Sequence, residues 1–328
     1  MLKGAIVGFG EVARHGHWPA YAASTEAEIV AVVDRNVARR ALASSLKPGL
    51  QTFETIAELA ASITVDFIDI CTPPVLHPQP MLDAIDRGWH VLCEKPLLLD
   101  LAVVETVRQR AAEHATAVVP VHNWKYAPIL VAATAALRDG AIGSLTRVEI
   151  ETARVRAAQT AQPDRPNWRR DAAIAGGGIL MDHGWHSVYL ALHWFEAHAT
   201  AVHASLHHPP GGGVEDEASL RIEFPEGEAL ISLSWNCPRR RNSMRLVGTD
   251  GEIVIADDTL GIRGANTLMT TFPSALSSGS HHEDWFTAML PAVVACFRHP
   301  ALARPLFDEA VECLSIIQQA YRGDHSLA

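Results

Sequence analysis

The stretch Leu2–Ala13, LKGAIVGFGEVA, decides the fold of this chain of 328 residues. Its first half is an apolar run of the length of a buried strand. Its second half, Gly8–Ala13, matches the pattern G-x-G-x-x-G/A, in which a tight turn leads from a strand into a helix. A second apolar run ends at the acidic residue Asp34. Together these features predict a domain that binds a dinucleotide, because such domains combine a glycine turn with an acid at the end of the second strand.

The glycine turn predicts which residues meet the dinucleotide. Gly8 makes the turn, Gly10 lets the pyrophosphate approach the backbone, and the small Ala13 allows the helix to pack closely against the strand. The predicted cofactor-binding segment therefore comprises Gly8, Phe9, Gly10, Glu11 and Val12.

Asp34 and Arg35 bear on the choice between NAD and NADP. The carboxylate of Asp34 can accept hydrogen bonds from the ribose hydroxyls, and its charge would repel a 2′-phosphate. This favours NAD as the cofactor. Arg35, the next residue, could instead hold that phosphate, so the use of NADP stays open at this point.

Strand and helix patterns alternate up to about residue 122. Runs of apolar residues predict strands that are buried on both faces, as in a parallel sheet covered by helices. The predicted strands are Leu2–Gly8, Glu28–Asp34, Val65–Pro73, His90–Pro96 and Thr116–His122, and helices are predicted at Asn36–Leu46 and Leu101–His114. A first domain with an α/β, doubly wound Rossmann fold is thus predicted for residues 1–122.

A different pattern begins after residue 122. A helix predicted near Ala127–Arg138 precedes several short strands of alternating polarity, which favour a large open sheet that is mainly antiparallel. Two helices are predicted between Asp284 and Tyr321. We therefore expect a second α/β domain over residues 123–328.

The composition argues against several classes of function. The formal net charge is −10, whereas a nucleic-acid-binding protein usually carries a basic face. No apolar run reaches the length needed to cross a membrane, and the N-terminus has no signal-peptide pattern. The five cysteines lack the paired spacing of a metal site or a disulfide framework. We expect a cytoplasmic protein whose partners are neither nucleic acids nor membranes.

Lys95 lies in the sequence CEKP at the end of a predicted parallel strand. Ligands collect at the carboxyl ends of such strands, so the lysine is expected close to the nicotinamide. Its ammonium group can donate a hydrogen bond to a substrate oxygen and stabilise the negative charge that develops there.

The stretch Gly176–Ser187, GGGILMDHGWHS, contains a carboxylate and an imidazole four residues apart. At roughly 100° per residue, Asp182 and His186 share one face of a helix, beside an apolar stripe that packs against the sheet. The carboxylate favours the imidazolium, which suits a residue that takes and returns a proton near neutral pH. The glycines are expected to bring the helix start close to the ligand and to leave free N–H groups beside the substrate.

The sequence DHGWH also permits a metal site with Asp182, His183 and His186 as ligands. No further ligand motif accompanies it, so no metal is predicted. The patterns G-x-S-x-G and H-E-x-x-H and the P-loop pattern are absent from the sequence, so hydrolysis and phosphoryl transfer lack support.

Taken together, these motifs resemble the Gfo/Idh/MocA family, named for glucose–fructose oxidoreductase, inositol dehydrogenase and a rhizopine-catabolism protein. The resemblance covers nearly the whole chain. Its most specific part is the EKP motif combined with a glycine run that is followed by D-x-x-x-H. The matching segments are GFGEVA (8–13), CTPPVLH (71–77), CEKPLLLD (93–100), HNWKYAP (122–128), LRDGAIGSLTRVEI (137–150), NWRRDAAIAGGGILMDHGWHS (167–187) and LVGTDGEIVI (246–255).

The resemblance implies a function and an assembly. It implies transfer of a hydride between NAD(P) and a secondary alcohol or ketone of a sugar, a cyclitol or a sugar derivative. It also implies that the second domain binds the substrate, and that its open sheet often forms the interface of a homodimer or homotetramer.

Individual roles follow from the same resemblance. Lys95 would contact the reacting oxygen beside the cofactor, His186 would be the general acid and base, and Asp182 would bind substrate and orient the histidine. The nicotinamide pocket would be lined by Thr72, Pro73 and His77, with Glu94 beside the nicotinamide ribose. The substrate pocket would include Trp124, Lys125, Trp168, Arg169, Asp182 and His183.

Two other functions remain open from the sequence. The chain could reduce a keto-sugar nucleotide or an imine with the same motifs, or it could be a catalytically silent NAD-binding sensor. The presence of Lys95, Asp182 and His186 together favours an enzyme. Several arginines near the predicted pocket would suit an anionic substrate: Arg147, Arg154, Arg156, Arg165, Arg169 and Arg170.

Overall fold

The computed structural model describes residues 1–159, 167–264, 267–279 and 281–323. Within these ranges the chain forms two compact units. The first unit contains Met1–Asn123 and His281–Val311, and the second contains the described residues of Trp124–Ser280 and Glu312–Ala328. The assignment of separate functions to residues 1–122 and 123–328 stays a prediction.

A parallel sheet forms the centre of the first unit. Its strands among the described residues are β1 (Leu2–Val7), β2 (Ala27–Val33), β3 (Gln51–Phe53), β4 (Phe67–Ile70), β5 (His90–Cys93) and β6 (Val118–Pro120). They lie in the order β3-β2-β1-β4-β5-β6, and all neighbours are parallel. This is the strand order of dinucleotide-binding Rossmann domains, in which ligands bind where the order reverses, here between β1 and β4. The predicted doubly wound fold is confirmed.

Helices connect these strands and those of the second unit. They are α1 (Trp18–Ala23), α2 (Val37–Leu46), α3 (Ile56–Ser62), α4 (Pro78–Ile85), α5 (Leu101–Glu113), α6 (Pro128–Arg138), α7 (Ala172–Ala175), α8 (Trp185–Phe195), α9 (Glu283–Arg298) and α10 (Arg304–Gly323). Side-chain caps set several of their starts, because Asn36, Thr55 and Asp100 each accept a hydrogen bond from a backbone N–H of the first turn. The helices predicted from the sequence correspond to α2, α5, α6, α9 and α10 and are confirmed to within a few residues.

A second sheet forms the centre of the second unit. Its strands among the described residues are β7 (Leu145–Ala153), β8 (Ala201–His207), β9 (Glu217–Phe224), β10 (Gly227–Ser234), β11 (Arg241–Gly248), β12 (Glu252–Ala256), β13 (Thr259–Arg263) and β14 (Thr267–Thr271). Their order is β14-β13-β12-β11-β7-β10-β9-β8. The pair β7 and β10 is parallel and the other neighbours are antiparallel, which confirms a mainly antiparallel sheet.

The two faces of the second sheet differ in polarity. On one face Val148, Ile150 and Thr152 are buried, while the intervening side chains of β7 point to the opposite face and are charged. Cross-strand ion pairs cover that opposite face, for example Arg245 with Glu252 at 2.6 Å between Nε and Oε2.

Two short π-helical turns depart from the predicted regular helices. One spans Ala13–His17 after the glycine turn, and the other spans Leu180–Gly184 before α8. The assumption of 100° per residue is therefore wrong between Asp182 and His186. The prediction that His186 lies beside the apolar stripe, and not within the buried part of the helix, is also wrong, because His186 is buried together with the apolar side chains of α8.

None of the helices in the described part of the chain has the combined length and apolar character that crossing a bilayer requires.

Candidate functional site

The glycine turn has the geometry of a dinucleotide cradle. Gly8 has a φ of +89°, which L side chains rarely adopt, and a Cβ there would lie 2.8 Å from Cγ2 of Thr72. Its N–H donates to the carbonyl of Val33 at 2.8 Å, which fixes the end of β1 beside β2. At Gly10, a Cβ would meet no heavy atom of the described chain within 4 Å. The backbone at Gly10 therefore faces open space, as the approach of a pyrophosphate requires.

Asp34 is held in a fixed orientation beside this turn. Its Oδ2 accepts a hydrogen bond from the N–H of Phe9 at 2.8 Å, and its Oδ1 accepts one from the N–H of Asn36 at 2.8 Å. Arg39 approaches the same carboxylate at 3.5 Å, whereas the neighbouring Arg35 is exposed. The acid thus ties the end of β2 to the glycine turn.

Glu11 and Val12 complete the predicted cofactor-binding segment. Glu11 is exposed and lies 3.4 Å from Nε2 of His15, one helical turn further along. Val12 is half-buried and precedes the π-helical turn Ala13–His17. The contacts of both residues with a cofactor stay a prediction.

Thr72, Pro73 and His77 lie beyond the end of β4. His77 is fully buried, and its ring lies between two carbonyls, with Nε2 at 2.8 Å from Thr72 O and Nδ1 at 3.0 Å from Pro96 O. Burial lowers the pKa of His77, which favours a neutral ring that donates to one of these carbonyls. The hydroxyl of Thr72 is buried, and no other group in the described ranges hydrogen-bonds to it. Together with the open space at Gly10, this unsatisfied hydroxyl fits a bound dinucleotide.

Glu94 and Lys95 follow β5, at the same edge of the parallel sheet. The N–H of Lys95 donates to Oε2 of Glu94 at 3.0 Å, and Oε1 of Glu94 lies 3.0 Å from Nε2 of His17. Burial alone would raise the pKa of Glu94, but the hydrogen bond and the charge of His17 outweigh it and lower that pKa. The carboxylate is therefore ionised and held at both oxygens.

His186 lies in a rigid setting in the second unit. Its Nδ1 is 2.9 Å from the hydroxyl oxygen of Tyr189, and its ring stacks on that of Trp124 at 4.8 Å between centroids. The N–H of Trp124 donates to the same Tyr189 oxygen at 3.1 Å. The Nζ of Lys125 lies 5.7 Å from the centre of the Tyr189 ring. The structure thus brings together three residues predicted for the site, with Tyr189 at their centre.

Asp182 and His183 form a second group on the π-helical turn. Oδ2 of Asp182 lies 3.3 Å from Nδ1 of His183, and Nε2 of His183 accepts a hydrogen bond from Nε of the buried Arg154 at 3.2 Å. The predicted role of Asp182 in orienting His186 stays a prediction, since the hydrogen bond found at Nδ1 of His186 involves Tyr189.

The glycine run binds a buried carboxylate of the chain itself. The N–H of Gly178 donates to both carboxylate oxygens of the buried Glu215 at 2.9 Å, and the N–H of Leu180 donates to Oε1 at 3.0 Å. The hydroxyl of Tyr321 donates to Oε1 at 2.8 Å. A Cβ at Gly177 would overlap that hydroxyl, and one at Gly178 would overlap the carbonyl oxygen of Glu215. The expectation of free N–H groups is wrong for Gly178, because a carboxylate of the chain itself occupies its N–H.

Trp168 and Arg169 lie on a single 3₁₀ turn of the second unit. The guanidinium carbon of Arg169 is 4.3 Å from the centre of the Trp168 ring. The predicted arginine group is divided, because Arg147 pairs with Glu228 on the charged face of the sheet at 3.0 Å. Arg165 lies outside the described residues.

Family models match both halves of the chain. The model described as an oxidoreductase family with an NAD-binding Rossmann fold matches residues 2–122, and the GFO/IDH/MocA C-terminal domain matches residues 130–254. The chain belongs to the Gfo/Idh/MocA family. Its first unit is accordingly the NAD-binding Rossmann domain of an oxidoreductase.

Two relatives and one solved structure agree with this assignment. Oxidoreductase P35 of Formosa agariphila is 28% identical over 59% of this chain and 60% of its own length. The 1,5-anhydro-D-fructose reductase of Ensifer adhaerens is 27% identical over 77% of this chain and 75% of its own. An Agrobacterium radiobacter oxidoreductase, solved with NAD+, L-tartaric acid and magnesium, has a TM-score of 0.85 at 18% identity, covering 100% of this chain and 97% of that one. This last likeness shows the fold.

Three residues of this Gfo/Idh/MocA chain with contacts at the candidate site were not assigned to it from the sequence. Tyr189 had a signal, because it lies one turn after His186 on a helix. Glu215 and His17 had weaker sequence signals, since each lies far along the chain from the residues that it contacts. The acid of Glu215 bonds a residue 37 positions away, and His17 bonds one 77 positions away.

Proposed function

We propose that this protein oxidises a secondary alcohol of a sugar, a cyclitol or a sugar derivative, or reduces the corresponding ketone, with NAD preferred over NADP. The observation that carries the proposal is the setting of His186. A buried imidazole whose Nδ1 is 2.9 Å from Tyr189 and whose face stacks on Trp124 has the fixed orientation that a general acid and base needs.

The residues of the first unit would hold the cofactor. The open backbone at Gly10 would receive the pyrophosphate, and Asp34 would accept hydrogen bonds from the adenosine ribose. The unsatisfied hydroxyl of Thr72 and the neighbouring Pro73 and His77 would meet the nicotinamide end. When bound, NAD supplies the acceptor for the hydride that leaves the alcohol carbon.

His186 would move the proton. When its Nδ1–H donates to the oxygen of Tyr189, the lone pair of the ring lies on Nε2, which then takes the proton of the substrate hydroxyl. In the direction of reduction the same nitrogen returns the proton. Tyr189 would act as a positioning residue, because it fixes the tautomer and also accepts from the backbone of Trp124.

Lys95 would stabilise the oxygen as negative charge develops on it. An ammonium group donates hydrogen bonds and carries a full charge, so it favours an alkoxide-like oxygen over a neutral hydroxyl. Asp182 would bind the substrate and help to orient His186. The remaining substrate contacts would come from Trp124, Lys125, Trp168, Arg169 and His183.

The substrate class rests on two supports. The Ensifer adhaerens relative, which covers 77% of this chain, is named a 1,5-anhydro-D-fructose reductase. The candidate residues also combine aromatic rings with carboxylate, imidazole and ammonium groups, which suits a ligand with many hydroxyls.

The test is a substrate panel with the purified protein. Sugars, cyclitols, sugar phosphates, nucleotide sugars and their keto forms would each be incubated with NAD or NADP, in either redox state, and the nicotinamide absorbance followed. Turnover of at least one polyol or its ketone is expected, with a higher kcat/KM for NAD. Turnover confined to imines, or none in the presence of demonstrated NAD binding, would contradict the proposal.

A further inference from the structure

A buried ionic network lies in the first unit. His17 ends the π-helical turn after the glycine loop, Asp69 lies in β4, and Glu94 follows β5. Nδ1 of His17 is 2.7 Å from Oδ2 of Asp69, and Nε2 is 3.0 Å from Oε1 of Glu94. His17 is 1% exposed and Asp69 is fully buried. The ring of Phe286 stacks on the imidazole at 3.9 Å between centroids and fixes its plane.

The two contacts of His17 determine its charge. An ionised carboxylate only accepts hydrogen bonds, so a ring nitrogen beside it must carry a proton. With a carboxylate at each nitrogen, His17 is the imidazolium. Burial lowers the pKa of His17, but the neighbouring Asp69 carboxylate outweighs burial, and the pKa is raised well above its ordinary value.

Other titratable groups lie beside His17 or Asp69. Sγ of Cys71 lies 3.4 Å from Nδ1, and burial raises the pKa of this thiol, so it stays protonated. Burial also raises the pKa of the Tyr21 phenol, which stays neutral. Potential metal-ligand atoms of His17, Asp69 and Cys71 lie within 4.8 Å of one another. The protonated thiol and the engagement of both ring nitrogens favour a hydrogen-bonded network over a metal site.

Glu94 connects this network to the catalytic lysine. Its Oε1 faces His17 and its Oε2 accepts the backbone N–H of Lys95 at 3.0 Å. We propose that His17, held as a cation by Asp69, is a positioning residue that keeps Glu94 ionised and thereby fixes Glu94 and the backbone of Lys95 for the reaction. This inference rests on the proposed function, in which Glu94 meets the nicotinamide ribose and Lys95 the reacting oxygen.

The test compares His17→Gln with wild type by calorimetric NAD titration across mildly acidic to mildly alkaline pH. Without the cation, Glu94 has a buried carboxylate as its neighbour, and its pKa rises. NAD affinity of the variant is therefore expected to fall by about tenfold for each pH unit below that raised value. Wild type should show no such fall in this range. The exposed His114→Gln variant is the matched control and should follow wild type.

Two further variants separate positioning from a purely structural role. Adding Glu94→Gln to His17→Gln should remove the new pH dependence of NAD affinity, because the titrating group is gone. If His17→Gln fails to fold, His17→Asn replaces it, because that variant also lacks the cation and keeps Asp69, and it should produce the same dependence.

Specific results would overturn the inference. The inference would be contradicted if the NAD affinity of His17→Gln varied with pH as it does in wild type, or if the new pH dependence persisted in the double variant that also lacks the Glu94 carboxylate. It would also be contradicted if wild type bound one metal ion per chain and His17→Gln bound none. If His17→Asn has to be used, a wild-type profile for that variant would have the same meaning. The test of this inference measures NAD binding and not turnover. An inactive substrate panel would therefore contradict the proposed function without deciding this inference.

Discussion

Glu94 in the first unit is a largely buried carboxylate and Glu215 in the second a fully buried one, yet their pKa values shift in opposite directions. Burial raises the pKa of each, but the cation His17 reverses this effect at Glu94. At Glu215 the donors are a tyrosine hydroxyl and backbone N–H groups, and the pKa stays raised. Neutral donors thus fix the position of a buried acid, whereas a nearby full charge also fixes its ionisation.

The surroundings of Glu94 and Glu215 also require different residue types from the sequence. The network at Glu94 needs charged side chains from three distant segments. The clamp at Glu215, in which Gly178, Leu180 and Tyr321 donate to its carboxylate, needs glycine. A Cβ at Gly177 would overlap the hydroxyl of Tyr321, and one at Gly178 would overlap the carbonyl oxygen of Glu215. Gly177 and Gly178, two of the three glycines that precede Asp182 and His186, are required for this contact. They let Glu215 fasten the segment that begins the π-helical turn.

The largest effect is expected when the glycine clamp is broken. In Gly178→Ala the new Cβ would overlap the carbonyl oxygen of Glu215, so backbone must move in a closely packed region. We expect a loss of roughly 3 kcal/mol or more in stability, at the upper end for overpacked sites. Thermal unfolding followed by circular dichroism measures it.

Gly323→Ala is the matched control for that substitution, because a Cβ there would meet no heavy atom of the described chain within 4 Å. This change should leave the unfolding temperature unchanged or slightly raised, since alanine favours a helix over glycine. Equal losses in the two variants would refute the close-approach explanation.

A third buried acid, Asp34, sharpens the comparison because it is held by two backbone N–H groups, with Arg39 at 3.5 Å. Asp34→Ala should weaken NAD binding by about 1.5–3 kcal/mol, the range for hydrogen bonds to a charged group. NADP binding should weaken less, because the substitution also removes the repulsion of the 2′-phosphate. Calorimetric titration of both cofactors measures the difference, and an unchanged preference would contradict the role of Asp34.

Much of the fold could be predicted because its signals are local. Apolar runs with the glycine turn predict the parallel sheet, and alternating polarity predicts the antiparallel one. The short strand β3 was missed, since Gln51–Phe53 forms no apolar run. The π-helical turns were missed because side-chain periodicity does not reveal one extra residue in a helical turn.

The candidate site could be predicted only where chemistry and motif coincide. Lys95 and His186 belong to recognisable motifs, whereas Glu215 and Tyr321 meet across 106 positions. No spacing rule links residues so far apart, and neither residue type suggests a partner. Their pairing follows from tertiary structure, which the sequence specifies only through the whole fold.

The smallest expected effect is the change in folding stability with pH. The raised pKa of Glu215 means that the folded protein binds its proton more tightly than the unfolded chain. Stability should therefore fall as pH rises from the ordinary glutamate range to the raised pKa. Glu94 has the opposite sign: its lowered pKa contributes stability above the ordinary range, which is lost as pH falls through the lowered value.

Urea midpoints across this pH range test the contribution of Glu215. Glu215→Gln should reduce the fall in midpoint with rising pH, while the exposed Glu226→Gln should keep the slope of wild type. A slope that is the same in all three proteins would mean that Glu215 does not titrate between the folded and unfolded states as proposed.

The most direct test of the proposed function measures turnover and NAD affinity in His186→Ala with the best substrate of the panel. Loss of the group that moves the proton should lower kcat by about 100-fold or more, the range of general acid–base catalysis. NAD affinity should stay within about twofold of wild type, a difference well below 1 kcal/mol. Retained turnover, or a loss of NAD affinity equal to the loss of turnover, would contradict the assignment of His186 as the acid and base.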